Sequence, residues 1–218
     1  MAAVLHFIIV LLLSFSVMNP GLSQNLQKGP DLDARVKKFL DSHAGQWRDL
    51  NVPASDGQLL YDLIIKGKYT KALEIGTSTG HLGIWIAWAL SKTGGKLITI
   101  EIDEVRYKKA LANFQEAGLA DYIDARLADA HDLVKKLEGP FDFVFLDADK
   151  EWYKQYFIDV APKLPVGGCF AAHNVHGRRG GTNGIHQYAK HVTRLKNFET
   201  TFNTSGSGVA ISYKKSDD

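Results

Sequence analysis

Glu74, Gly76 and Gly80 lie together in "LEIGTSTG", and Glu101 closes the apolar run of "ITIEIDE" 25 positions after Gly76. A glycine turn that follows an apolar run suits a nucleotide. A dinucleotide fingerprint, however, needs glycine at position 78, where backbone must approach a pyrophosphate, and Ser78 stands there. Glu74 argues the same way, since a carboxylate beside the turn repels phosphate and suits a ligand bearing an ammonium or a sulfonium. Gly76 and Gly80 still let the backbone turn tightly around Thr77 and Ser78. The plainer alternative is a glycine turn that only packs helix on strand. Glu101 at a strand end can accept hydrogen bonds from both hydroxyls of a ribose, or can be a solvated strand end. A ligand with a ribose, a positive centre and no phosphates is S-adenosylmethionine.

The elements that must position these residues follow from periodicity. "KALEI", "KLITIEI", "YIDARL", "FDFVFLDA" and "GCFAA" are apolar runs separated by helix-length segments such as "HLGIWIAWALSKT" and "EVRYKKALANFQEAG". Strands apolar on both faces and joined by helices predict a doubly wound α/β domain with a mostly parallel, seven-stranded sheet. "DLDARVKKFLDSH" and "SDGQLLYDLIIKG" predict two leading helices, the second with Ser55 as N-cap. "FETTFNTSGSGVAISYKK" predicts a C-terminal antiparallel hairpin at the sheet edge. In such a sheet ligands sit outside the carboxyl ends of the strands. The residues there are Glu74 to Gly80, Glu101, Asp129-Ala130, Asp147 to Lys150 and His173-Asn174.

Composition narrows the function classes. With 218 residues, 45% hydrophobic and 23% charged, the chain builds one full core. Its net charge of +2, from 26 basic and 24 acidic residues, creates no global field for a nucleic-acid partner. The basic loop "HGRRGGTNG" carries Arg178 and Arg179, which either meet an acidic group on the substrate or stay solvated; it has no interleaved aromatics for stacking RNA bases. Cys169 is the only cysteine, so an intrachain disulfide and a cysteine zinc cluster are excluded. Residues 1–23 read as a signal peptide, an apolar run ending in "GLSQ", which leaves residues 24–218 as the domain and places it outside the cytoplasm. The competing reading is an uncleaved membrane anchor with a cytoplasmic domain, because Lys28, Arg35, Lys37 and Lys38 all follow the run.

In order and spacing, "VPASDGQLL", "ALEIGTSTGHLGIWIA", "ITIEIDEVRYKKA", "LADAHDLV", "FDFVFLDADKEWY" and "GGCFAAHNV" resemble the catechol and caffeoyl-CoA O-methyltransferase family, class I enzymes that use S-adenosylmethionine. The likeness runs from about residue 31 to the end, and "DADK" is its most specific element. It implies that Val52, Glu74, Gly76, Thr77 and Asp147 surround the methionine part of the cofactor, Glu101 its ribose and Ala130 its adenine, with Asp149 close by. It further implies a divalent metal held by Asp147, His173 and Asn174, Lys150 as the base, a small hydroxylated substrate, and a homodimer. Leu82 stands where family members usually carry a serine that bonds the methionine end.

His173 departs from the family in the same way, because the usual pair at 173 and 174 is Asp-Asn. Two carboxylates and an amide oxygen suit magnesium or calcium. An imidazole in place of one carboxylate removes a negative charge and adds a nitrogen donor, which favours manganese, iron, cobalt or zinc. His173 therefore has three readings: a metal ligand, a base or substrate contact in a metal-independent enzyme, and a structural histidine. The expected reaction is transfer of a methyl group from S-adenosylmethionine to a hydroxyl of a small, phenol-like substrate. An exported binding module that retains the fold is the alternative from a different class.

Overall fold

The computed structural model describes residues 30–47, 53–177 and 183–217. Two helices lead, α1 (Pro30–Ser42) and α2 (Ala54–Gly67). The chain then alternates β1 (Lys71–Ile75), α3 (His81–Thr93), β2 (Lys96–Glu101), α4 (Glu104–Ala117), β3 (Ile123–Leu127), α5 (Ala130–Lys136), β4 (Phe143–Leu146), α6 (Tyr153–Val160), β5 (Cys169–His173) and α7 (Asn183–Val192). It closes with β6 (Phe198–Asn203) and β7 (Val209–Lys214). The second helix begins one residue before Ser55, and no side chain caps it. Residues 1–23, Val52, Arg178 and Arg179 lie outside the described residues. No helix among the described residues is long and apolar enough to cross a membrane.

The seven strands form one sheet in the order β3-β2-β1-β4-β5-β7-β6. The first five are parallel, and β7 pairs antiparallel with both β5 and β6. This is the predicted doubly wound architecture with its antiparallel hairpin. One local expectation fails: β3 is not apolar on both faces, because it forms the sheet's edge and carries exposed Asp124 and Leu127. An edge strand needs only one covered face, so its charge also discourages pairing with other chains.

Period-2 alternation sorts the strand residues between two layers. Leu73, Ile75, Val144, Leu146, Phe170 and Ala172 pack with α6 and α7 side chains such as Tyr153, Phe157 and Tyr188. Ala72, Phe143, Phe145, Cys169 and Ala171 pack on the other face against Leu60 and Ile64 of α2 and Ile86 of α3. A third cluster, with Val36, Trp88 and Phe114, seals α1 and α4 onto α3. The parity of the second set continues at the strands' carboxyl ends to Glu74, Asp147 and His173. The same pattern that builds the core therefore delivers three polar residues to the α2 and α3 side.

Candidate active site

Strand order reverses between β1 and β4, whose neighbours lead away in opposite directions, and a crevice opens there beyond the carboxyl ends. Gly76 sets the spacing of the two strand ends. Its φ is 96°, and a Cβ built on it would stand 2.2 Å from the carbonyl oxygen of Asp147. Only glycine fits that approach. The cavity has a volume of about 510 Å³, within the range of small-molecule sites.

Of the residues expected at the site, Glu74, Gly76, Thr77, Ser78, Glu101, Ala130, Asp147, Asp149, Lys150, His173 and Asn174 all line this one cavity. Gly80 does not; it precedes α3 and lies under the Phe114 ring. Val52 lies outside the described residues. The sequence reading missed His131, Tyr156 and Ser207, which also line the cavity. His131 is held 2.8 Å from Asp129, stacks on Tyr156 and meets Trp152 at a tilt, beside Ala130. The run "LADAHD" offered the only signal, an aromatic directly after the strand-end pair.

Glu101 arrives already fixed. Its Oε2 accepts the Ser78 N–H at 2.7 Å, and its Oε1 accepts the N–H groups of Ile102 at 3.1 Å and Asp103 at 2.9 Å. A carboxylate offers about four acceptor sites, so three backbone donors orient this one and still leave capacity for a ligand hydroxyl. The solvated-strand-end reading fails, since Glu101 is buried.

Glu74 is different. It is fully buried, its Oε2 accepts the Thr99 hydroxyl at 2.6 Å, and its Oε1 has no hydrogen-bond partner among the described residues. Register explains the one bond, because Glu74 and Thr99 are directly paired on β1 and β2. Burial pushes the Glu74 carboxyl up to about 8, against the Thr99 hydrogen bond and with help from the charges of Asp147 and Glu101. An orphaned buried oxygen on a cavity wall marks a place for a ligand donor. A ligand carrying an ammonium and a sulfonium, with a ribose for Glu101, fits these two carboxylates.

The β4 and β5 ends form the other half. Asp147 Oδ1 takes the Lys150 ammonium in a short ion pair, and Asp147 Oδ2 lies 3.0 Å from His173 Nδ1. Lys150 also donates to the Tyr153 hydroxyl at 2.7 Å. Burial alone would raise the Asp147 carboxyl, but the His173 hydrogen bond and the Lys150 charge outweigh it and hold it below the ordinary aspartate value. The other ring nitrogen of His173, Nε2, lies 3.3 Å from Asp56 Oδ2 on α2. Asn174 follows in a left-handed backbone conformation, φ 58°.

This arrangement does not fit the divalent metal that the resemblance implies. Both oxygens of Asp147 and both ring nitrogens of His173 already have partners, one of them the Lys150 ammonium. Among the described residues, no group of three His, Cys, Asp or Glu side chains is arranged to hold a metal ion. The physical reason lies in the neighbours of the ring: Nδ1 faces Asp147 Oδ2 and Nε2 faces Asp56 Oδ2, so neither nitrogen is turned toward an open position.

Fold and site together define a doubly wound α/β domain with a cavity at its switch-point crevice. The chain belongs to the O-methyltransferase family, which it matches over residues 30–204. It is 38% identical over 112 residues to a catechol O-methyltransferase from Niastella koreensis, a match covering 50% of each chain. It is 33% identical over 133 residues to caffeoyl-CoA O-methyltransferase 1 from Eucalyptus globulus, covering 59% of this chain and 54% of that one. The chain thus spans about half the length of the curated relatives it matches. A solved O-methyltransferase from Bacillus cereus in complex with SAH has the same fold, with a TM-score of 0.72 and 27% identity, covering 84% of this chain and 91% of that one.

Proposed function

We propose that this protein methylates a hydroxyl of a small acceptor with S-adenosylmethionine as donor, phenols being the first acceptor class to try. The observation that carries this reading is the pairing, in one cavity, of an orphaned buried carboxylate oxygen on Glu74 with the anchored carboxylate of Glu101. Family membership supports the reaction class. When bound, S-adenosylmethionine supplies an electrophilic methyl group on a positively charged sulfur.

The chain's own residues do the rest. Glu101 holds the ribose hydroxyls, and its three backbone hydrogen bonds keep it from rotating away. Glu74 receives the ammonium end, with Gly76 and Thr77 forming the adjoining wall. Ala130 and Ile102 provide apolar surface for the base. Lys150 lines the cavity, and it takes the proton of the attacking hydroxyl only after passing on the proton that its ion pair with Asp147 now holds. Tyr153 and Asp147 hold its nitrogen from the other side. No step is assigned to a divalent metal, because the donors that would bind it are engaged with one another.

The test uses donor carrying a labelled methyl group and a panel of phenols and aliphatic alcohols. Label should appear in the acceptor's oxygen-linked methyl and survive exhaustive chelation. Lys150→Met should keep donor binding and lose transfer by about 10²–10⁴-fold, the usual weight of a general base. No donor uptake at millimolar concentration would instead favour a binding module that retains the fold.

A further inference from the structure

Asp56 sits outside the cavity wall, and nothing in the proposed reaction uses it. Yet it is buried, only 2% exposed, on the first turn of α2. A buried carboxylate costs several kcal/mol unless it is paired and hydrogen-bonded. Its pairing is specific. Asp56 Oδ2 accepts the Ser207 N–H at 3.0 Å and faces His173 Nε2 at 3.3 Å. Gly206 comes so close that a Cβ there would stand 1.8 Å from Asp56 Oδ1. The turn between β6 and β7 is thus folded down onto this one carboxylate.

From Asp56 the contacts run on through the imidazole to Asp147 Oδ2 and end at Lys150 and Tyr153. Five parts of the chain meet in this line: α2, the β6–β7 turn, the end of β5, the end of β4 and the start of α6. His173 is 3% exposed, so the line is sheltered along most of its length. Whichever ring nitrogen carries the proton in a given tautomer, each one faces a carboxylate oxygen.

We propose that Asp56 and His173 form a hydrogen-bonded strut that orients Asp147, in the place where the family resemblance calls for a divalent metal, and that Asp56 is the positioning residue of that strut. Asp56 acts through His173 and touches no reacting atom. The strut explains why an imidazole replaces the expected aspartate: its two ring nitrogens reach Asp147 and Asp56 at once, whereas a third carboxylate would repel both. The proposal rests on the methyl-transfer reading only in giving Asp147 its task.

The experiment follows Mn²⁺ binding to the full chain by electron paramagnetic resonance, together with the ¹⁵N resonances of the His173 imidazole. The wild-type protein should show no Mn²⁺ site tighter than about millimolar, the weak end of carboxylate sites. Asp56→Asn should move the Nε2 resonance of His173 and weaken binding of S-adenosylmethionine by about tenfold, as loss of an outer partner does at comparable sites. His173→Asp should tighten Mn²⁺ binding by about tenfold or more, since it supplies a hard oxygen beside Asp147 and Asn174. A wild-type protein that binds one Mn²⁺ at micromolar concentration and loses it on His173→Ala overturns the proposal. So does an Nε2 resonance unmoved by Asp56→Asn, or a folded His173→Asp protein with no gain in Mn²⁺ binding. If His173→Asp does not fold, Asp56→Asn decides alone. Failure of the wild type to bind S-adenosylmethionine would remove the reaction reading, while the Mn²⁺ and ¹⁵N readouts would still judge the strut.

Discussion

Two carboxylates on the same face of the sheet, buried Glu74 at the end of β1 and partly buried Asp147 at the end of β4, are treated in opposite ways. Asp147 has partners on both oxygens, from Lys150, His173 and Tyr153, and is held below its ordinary range. Glu74 keeps one oxygen without a partner and is pushed up to about 8 by burial. The first is finished by the fold; the second is finished only by a ligand. Acidity at a strand end is therefore not one property. Its meaning depends on how many donors the surrounding elements bring.

The largest test of this contrast removes the contact that joins the two halves. Gly76→Ala puts a Cβ against the Asp147 carbonyl and strains a left-handed backbone, and should lower stability by at least about 3 kcal/mol in urea unfolding. Asp147→Asn comes next. It strands His173 and Lys150 beside a neutral amide and should cost about 2–3 kcal/mol, whereas Glu74→Gln in the ligand-free protein near pH 6 should cost little, since the amide imitates the protonated acid. Equal losses in the two variants would erase the distinction.

The pH dependences should then run in opposite directions. Glu74 holds a proton in the folded, ligand-free protein that the unfolded chain has released, so stability should fall as pH rises from the ordinary glutamate value toward about 8. Asp147, whose folded value is depressed, contributes stability that is present above the ordinary aspartate value and is lost as pH falls through the folded one. A cationic ligand selects ionised Glu74, so affinity for S-adenosylmethionine should rise with pH up to about 8 and be accompanied by proton release. Calorimetry in buffers of different ionisation enthalpy reads that proton. Glu74→Gln should weaken binding by about tenfold or more at pH 9, where a charged hydrogen bond is lost, and should abolish the part of the pH slope due to Glu74. The smallest effect belongs to Thr99→Val. Losing its hydrogen bond should cost about 1 kcal/mol in binding and move the midpoint of the Glu74 contribution to higher pH.

How far the site can be read from residues alone varies along the chain. The strand-end census holds because each strand announces itself locally, and sheet order then brings Glu74, Glu101, Ala130, Asp147 and His173 to one crevice. Gly80 stands in the strand-end census yet does not line the cavity, because "GTSTG" cannot say which glycine faces it and which lies under Phe114. His131 and Tyr156 escaped because stacking partners are chosen by packing between α5 and α6, not by spacing in the sequence.

The metal expectation shows what distant parts of the chain add. Asp147, His173 and Asn174 could be placed together, but the ring's second partner, Asp56, is 117 residues from His173, and the turn that clamps it is 151 residues from Asp56. Alternation and glycine spacing determined the doubly wound sheet, the switch-point crevice and the acidic strand ends, because those signals act over a few residues. Whether each acid in that crevice stands paired or waits for a ligand was decided only when α2 and the terminal hairpin closed over it, since desolvation and hydrogen-bond donors both come from chain far away in sequence.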